Sequence, residues 1–482
     1  MKSGKTNVYY NTLLSVSQIL YPLITFPYAS RILGPDGIGL FSFVDSITQY
    51  FILIAAFGIP IYGIREVAKA AQNKGSQSKI YSELLIIHLG LTALLMVVYI
   101  CSFLVIPTMK EHSEMFWIGT GILFFNVFPT EWFFQGMQNF VFVAKRTIII
   151  RMLSIGALFI FVKEKDDVTA YYMINLFAFM LNAIINLWYA RNFVKFSFRQ
   201  VSIKKHISPL TYIFACNVAI SIYLLMDSIL LGFLVGNESV GFYTTSSRLS
   251  KVFILVVTAF SLVMIPRLST LFKEDNKAEI QRLLKLSFEY VFFITVPICI
   301  GLFIVAEDFV RLYAGPEFLP AVTTVRIMSP LVFLIGLSNI FGMQILTPKG
   351  REKKLLVGVG CGMVVSIGLN LILIPLWKEN GAAVTNITTE VVVTLVTGYY
   401  ALREVKMDIP WKRLFQSLLS SLVFIPINYL IMGIDINYIV KLGLVISLCG
   451  ITYIIFQYFV WKSNIIIQIL NSVKRKLGYE GI

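Results

Sequence analysis

"PYASRILGPDGIGLFSF" (residues 27–43) sets two prolines, an arginine, an aspartate and three glycines between two long apolar runs. A chain reversal here leaves about 20 apolar residues on either side, the number that ~30 Å of hydrocarbon requires at ~1.5 Å of rise per residue. The stretch therefore reads as the turn between two membrane-spanning helices. Gly34, Pro35 and Gly37 make the tight reversal, and Asp36 is solvated in it. Arg31 closes the first span, either as an interfacial anchor or as the outermost cation of a lumen.

The rest of the chain extends this reading. Of its 482 residues 57% are hydrophobic and only 14% charged, with a mean hydropathy of +0.78. Soluble domains are nearer a quarter charged. Fourteen apolar segments follow one another, roughly 8–30, 39–62, 82–106, 115–138, 147–162, 170–190, 207–235, 241–266, 283–306, 319–346, 356–377, 382–402, 414–433 and 439–461. Spanning strands would alternate over about ten residues instead, and no such pattern occurs. The run from Val8 continues past Leu20 without a small-residue cleavage pattern, so it reads as a retained first span.

Alternate connections differ sharply in charge. One set carries thirty lysines and arginines: Lys2 and Lys5, those of residues 65–79, Lys145 and Arg146, and those of 191–205, 267–285, 349–354, 403–413 and the tail from Lys462. The other carries six: Arg31, Lys110, Lys163, Lys165, Arg311 and Lys378. The positive-inside rule puts the charge-rich side in the cytoplasm with both termini. That requires an even number of spans, fourteen or else twelve. The net charge of +15 is thus topological and not the footprint of a nucleic-acid partner. Five cysteines (Cys101, Cys216, Cys299, Cys361, Cys449) lie singly in apolar runs as packing residues. The histidines His88, His112 and His206 are too scattered for a metal site. Outer loops reach only about a dozen residues, too short for a catalytic domain, and there is no nucleotide-binding loop.

Sliding the chain on itself by 202 residues sets "GPDGIGLFSF" (34–43) on "GNESVGFYTT" (236–245), with Gly34 on Gly236, Gly39 on Gly241, and Arg65 on Arg267. Six identities in 32 positions are modest. The shared plan is stronger: helix, short acidic glycine turn, helix, basic loop. An offset of six helices preserves orientation, so the repeat is parallel, and such halves commonly enclose a central cavity in transporters. The expected fold is an all-α polytopic membrane protein of about fourteen helices. Residues 1–200 and 207–402 form two six-helix bundles related by a pseudo-twofold along the membrane normal. Residues 403–482 add two helices and a basic cytoplasmic tail.

Ionisable residues inside spans are costly and need a reason. Arg151, Glu289 and Lys441 read as snorkelling near segment ends. Asp45, Asp227, Arg248 and Lys251 lie in the second, seventh and eighth spans, which the repeat pairs with one another. Asp45 shares a helix face with Gln49 at i,i+4, and Arg248 with Lys251 at i,i+3. Arginine in a cavity suits phosphate, because its planar fork pairs two oxygens. The carboxylates would hold the cations when the site is empty, or carry protons. The plainer alternative is a salt bridge from Asp45 or Asp227 to Arg248 that only locks helices. Arg326 is a further candidate for substrate binding, and Glu131 and Glu390 for ion coupling or charge balance; Glu131 could equally serve local packing. Gly358 and Gly362 hint at close helix packing.

At "PLITFPYASRILGPDGIGLFSF" (22–43) the chain resembles Wzx-type polysaccharide and O-antigen flippases of the multidrug/oligosaccharidyl-lipid/polysaccharide exporter superfamily. "QYFILIAAFGIPIYGIREVAK" (49–69) and "FPTEWFFQGMQ" (128–138) add to the likeness, which is firmest over residues 8–150. The resemblance implies a V-shaped cationic cavity and a substrate of undecaprenyl-pyrophosphate-linked oligosaccharide. The cargo would pass from the cytoplasmic to the outer leaflet of the bacterial plasma membrane by alternating access. It also implies proton or sodium coupling, no cofactor, and a polysaccharide polymerase and chain-length regulator as partners beside membrane lipids. Arg31 lies in the family's PYxxRxLG pattern, whereas Asp45, Arg248 and Lys251 match by position alone. The competing readings are a lipid II or drug transporter of the same superfamily, or a membrane-bound polymerase or ligase, which would carry a large outer loop.

Overall fold

The computed structural model describes residues 4–70, 73–197, 201–434, 436–463 and 465–467. Lys2, Arg199 and the basic tail beyond residue 467 lie outside the described residues, as does the side chain of Cys216. The described residues are 86% helical, with no strand among them. In a bilayer every backbone polar group must be satisfied internally, which leaves an apolar chain of this kind little but helix.

The helices are α1 (Gly4–Ala56), α2 (Ile59–Lys69), α3 (Lys74–Val105), α4 (Pro107–Glu111), α5 (Ser113–Phe125), α6 (Glu131–Gly136), α7 (Phe140–Phe161), α8 (Val168–Ala190) and α9 (Lys204–Leu234). They continue with α10 (Asn237–Lys251), α11 (Ile254–Lys273), α12 (Lys277–Tyr313), α13 (Ala321–Met328), α14 (Leu331–Asn339), α15 (Glu352–Glu404), α16 (Trp411–Leu422), α17 (Phe424–Met432) and α18 (Tyr438–Ile455). Nine helical stretches among the described residues are long and apolar enough to cross a membrane. Two of them, Thr12–Lys69 and Glu352–Glu404, would each run ~80 Å if straight, well over twice the hydrocarbon thickness. Each is broken inside: Gly34 sits at φ 67° and ψ −177°, and Lys378 at φ 48° and ψ −130°. Pro35 follows the first break, where its missing N–H costs nothing at a helix start. Every one of the fourteen expected segments overlaps a helix or a pair of consecutive helices.

The opening turn is thus a single-residue kink. Gly34 adopts the positive φ that glycine alone adopts freely, and its repeat partner Gly236 does likewise at φ 128°. The contacts around them are reciprocal. A Cβ on Gly39 would stand 2.5 Å from the carbonyl carbon of Asn237, and one on Gly241 2.9 Å from the carbonyl carbon of Pro35. Pro35 and Asn237 are themselves 202 residues apart, as Gly39 and Gly241 are, so the offset exchanges the two contacts.

Two compact units result, Met1–Gly241 and Phe242–Ile482. The first packs α1 against α5, α7 and α9, and α2 against α3 and α6. Its main core gathers Tyr62, Tyr81, Leu84, Trp132, Phe133 and Phe134. In the second, α12 is the hub for α11, α13, α14, α16 and α18, and a core of Phe288, Phe292, Phe341 and Ile345 lies along it. The two halves of α15 pack closely where a Cβ on Gly358 would meet Thr397 and one on Gly362 would meet Val393. Cys101, Cys299, Cys361 and Cys449 are free thiols, and no group of three metal-ligating side chains occurs among the described residues.

Candidate functional site

In the first unit, α1 carries two of the candidates on either side of its kink. Arg31 is exposed, and its Nη1 donates to the carbonyl of Pro27 at 3.3 Å. Asp45 is half-buried and accepts from Gln49 Nε2 at 3.4 Å, so the i,i+4 face holds. One turn on, Thr48 Oγ1 meets the Tyr99 hydroxyl at 2.7 Å and accepts from Tyr172 at 3.0 Å, tying α1 to α3 and α8. Asp227 on α9 is 1% exposed. Counted along the helices from Gly34 and Gly236, Asp45 and Asp227 lie about 16 and 14 Å from the charge-poor end.

Glu131 stands in a cluster that the sequence did not foreshadow. Its Oε1 accepts from Arg146 Nη2, while Arg146 Nη1 donates to Asn186 Oδ1. Asn186 in turn donates its amide to the carbonyl of Pro129. Arg146 was placed in a basic loop with Lys145, and the structure corrects this. α7 begins at Phe140, so Arg146 lies inside the helix with its side chain 1% exposed. Arg151, dismissed as a snorkelling residue, bonds through Nη1 to Ser17 Oγ and lies 5.9 Å from the centre of the Tyr21 ring. The signal was present: four apolar residues, 140–143, precede the Lys145–Arg146 pair, enough to carry the helix back one turn.

In the second unit, α10 is the polar exception among the helices. Arg248 and Lys251 occupy its last turn, both half-buried. Tyr313, at the end of α12, lies within electrostatic reach of Arg248. Ser246 donates to the carbonyls of Phe242 and Ala321, whereas the buried hydroxyls of Thr244, Thr245 and Ser250 have no hydrogen-bond partner. Tyr243 meets Asn386 of α15 at 3.3 Å. Glu390, 3% exposed, accepts from Ser338 at 2.7 Å. Arg326 points back to α12, donating to the carbonyl of Phe303 at 3.4 Å and lying 5.8 Å from that ring. It is thereby set apart from the α10 pair in its bonding. Chemically, α10 offers two half-buried cations, suited to an anionic ligand, on a helix whose hydroxyls are largely buried behind them.

Residues 5–272 match the family described as polysaccharide biosynthesis protein. A relative from Escherichia coli (strain K12) named "Putative O-antigen transporter" is 29% identical over 403 residues, covering 81% of this chain and 95% of the relative. The "Probable flippase AglR" of Haloferax volcanii is 29% identical over 168 residues, 34% of this chain and 35% of the relative. Among solved structures, a lipid II flippase MurJ in an inward closed conformation superposes with a TM-score of 0.75 at 16% identity, over 95% of this chain and all of that one. An inward-facing multidrug resistance MATE transporter of the MOP superfamily gives 0.64 at 14% identity, over 82% and 98% of the two chains. Both structural likenesses are of fold, and the chain, matched by the family over more than half its length, belongs to the polysaccharide biosynthesis protein family.

Proposed function

We propose that this protein is a transporter that flips undecaprenyl-pyrophosphate-linked oligosaccharide from the cytoplasmic to the outer leaflet of a bacterial plasma membrane, with both termini in the cytoplasm. The observation that carries the reading is α10: two cations and a run of serine and threonine hydroxyls on a helix flanked by apolar spans. Cationic side chains inside spans require an anionic partner or a functional role, and a pyrophosphate supplies two negative groups for paired cations. The E. coli relative, named as an O-antigen transporter and covered over nearly its whole length, supports the same cargo class.

In this account Arg248 and Lys251 bind the pyrophosphate, with Arg31 and Arg326 as outlying cations. Asp45, Asp227 and Glu390 hold the cations when the site is empty, or carry the protons or sodium that couple transport to a gradient. Glu131 balances Arg146. The two six-helix repeats, residues 1–200 and 207–402, alternate access, and the lipid tail stays in the bilayer. A chain-length regulator and a polymerase would take the product on the outer face.

Charge reversal tests the reading. In a strain deleted for this gene, Arg248→Glu and Lys251→Glu should each leave lipid-linked oligosaccharide trapped in the inner leaflet, and surface polymer should fall at least tenfold. Normal export by both variants would end the cationic-site account. Accumulation of lipid II instead of oligosaccharide in the deletion strain would redirect the cargo to a peptidoglycan precursor.

A further inference from the structure

We propose that Glu131, fixed in place by Arg146, recognises sugar hydroxyls on the wall of the first unit, at a subsite separate from the pyrophosphate cations. The inference rests on the flippase reading and adds a specificity-determining residue to it.

The asymmetry of the pair is the starting observation. Arg146 is 1% exposed in its side chain, and Glu131 is 43% exposed. Enclosing the guanidinium carries a desolvation cost that its own bonds must offset, whereas the half-exposed carboxylate keeps further acceptor sites open beyond its bond to Arg146. Here the guanidinium is enclosed and the carboxylate is presented. Two further groups hold the guanidinium: Asn186 accepts from Nη1 and Thr147 Oγ1 from Nη2 at 3.2 Å, and the carbonyl of Pro129 takes the Asn186 amide and thereby fixes which way it points. Arg146 and Asn186 are positioning residues, and Glu131 is the group they aim.

The exposed side of Glu131 cannot face acyl chains, where a carboxylate is strongly disfavoured, so it faces water. The same wall carries Arg151, which interacts electrostatically with Glu131 and bonds to Ser17. Beside Arg151 lies the ring of Tyr21, whose hydroxyl bonds to Ser154. The wall therefore offers a carboxylate acceptor, a guanidinium donor and an aromatic face drawn from α1, α6 and α7. A pyranose has matching features: hydroxyls that donate to a carboxylate, ring and hydroxyl oxygens that accept from a guanidinium, and a C–H face that lies on an aromatic ring. Glu131 offsets the charge of Arg146 and so weakens the pull of this wall on a pyrophosphate, while its acceptor oxygens suit hydroxyl donors, and the wall fits the sugar end of the substrate.

The test uses the full-length protein in lipid nanodiscs and two probes. One is bare undecaprenyl pyrophosphate. The other is undecaprenyl-pyrophosphate-linked oligosaccharide extracted from the producing strain after deletion of this gene. Wild type should bind the glycosylated probe about tenfold more tightly, the scale of one hydrogen bond to a charged group. Glu131→Gln should bring that ratio near one while moving affinity for the bare probe less than twofold. Arg146→Lys, which keeps a cation but gives up the Asn186 bond, should lower the ratio as well. A ratio unchanged in Glu131→Gln overturns the proposal, and so does an equal weakening of both probes, which marks a structural role. If wild type binds neither probe, the flippase reading itself fails, and the subsite with it.

Discussion

Replacing Gly39 with alanine tests the helix crossing beside the opening kink. The new Cβ would overlap the carbonyl oxygen of Asn237, its nearest obstacle, and stand 2.5 Å from that group's carbon and 2.9 Å from the amide nitrogen of Gly241, where ordinary contact begins near ~3.4 Å. All of these obstacles are main chain and cannot rotate aside, so the two helix starts must part by more than ~1 Å. Overpacking costs ~1–3 kcal/mol, and a backbone obstacle places this case at ~3 kcal/mol. Alanine returns up to ~1 kcal/mol over glycine in a helix, leaving a net loss of ~2 kcal/mol. With ~2.1 cal/mol/K of unfolding entropy per residue, a chain of this length converts that into a Tm lower by ~2 °C. Tryptophan-fluorescence melting in nanodiscs would read it. Gly241→Ala should cost about the same, because its contacts with Pro35 mirror those of Gly39. One separation relieves both clashes, so the double variant should lose little more than either single one. Gly156→Ala is the control, since nothing lies within 4 Å of a Cβ there, and it should be neutral or stabilising. The reciprocal crossing is refuted if Gly39→Ala melts with Gly156→Ala, or if the double loss equals the sum of the two singles.

Glu83 is fully buried, and it accepts from His206 Nε2 at 2.8 Å, Lys205 Nζ at 2.8 Å and the Ser202 amide at 2.9 Å, while Tyr62 closes the other side of the imidazole at 2.8 Å. Glu83→Leu strands the buried imidazole of His206 and should cost ~3 kcal/mol, read as a Tm drop, with Glu83→Gln costing clearly less; equal losses would contradict the account. On the connection between α7 and α8, the amides of Lys163 and Glu164 donate to Asp167 Oδ2 at 2.8 and 2.9 Å and hold its carboxyl below the usual range. A lowered folded value contributes stability above the unfolded pKa of ~3.9 that is lost as pH falls through the folded value. The Tm advantage of wild type over Asp167→Ala should therefore be present at pH 6 and shrink below about pH 4. An advantage independent of pH would argue against the carboxylate's role.

What could be read in the residues, and what could not, divides along a physical line. Gly34, Pro35 and Gly236 declared themselves because a reversal needs special backbone wherever the chain is embedded, and the apolar runs declared themselves because hydrocarbon admits only internally bonded backbone. Asp45 with Gln49, and Arg248 with Lys251, were legible as pairs because helical periodicity alone puts each on one face. Arg146 was not, since averaging hydropathy around Lys145–Arg146 resembles a loop, and only packing shows that one of the two turns inward. The Glu131–Arg146–Asn186 cluster and the Glu83–His206 pair join helices distant in sequence, separated by up to 123 residues in the second case. No local rule assigns such partners. Sequence periodicity therefore finds charges that share a helix, while charges compensated between helices need the fold. That second class includes Arg146, the most fully enclosed cation of the first unit's cluster, and through it Glu131, whose exposed carboxylate acquires a role only once the buried arginine behind it is seen.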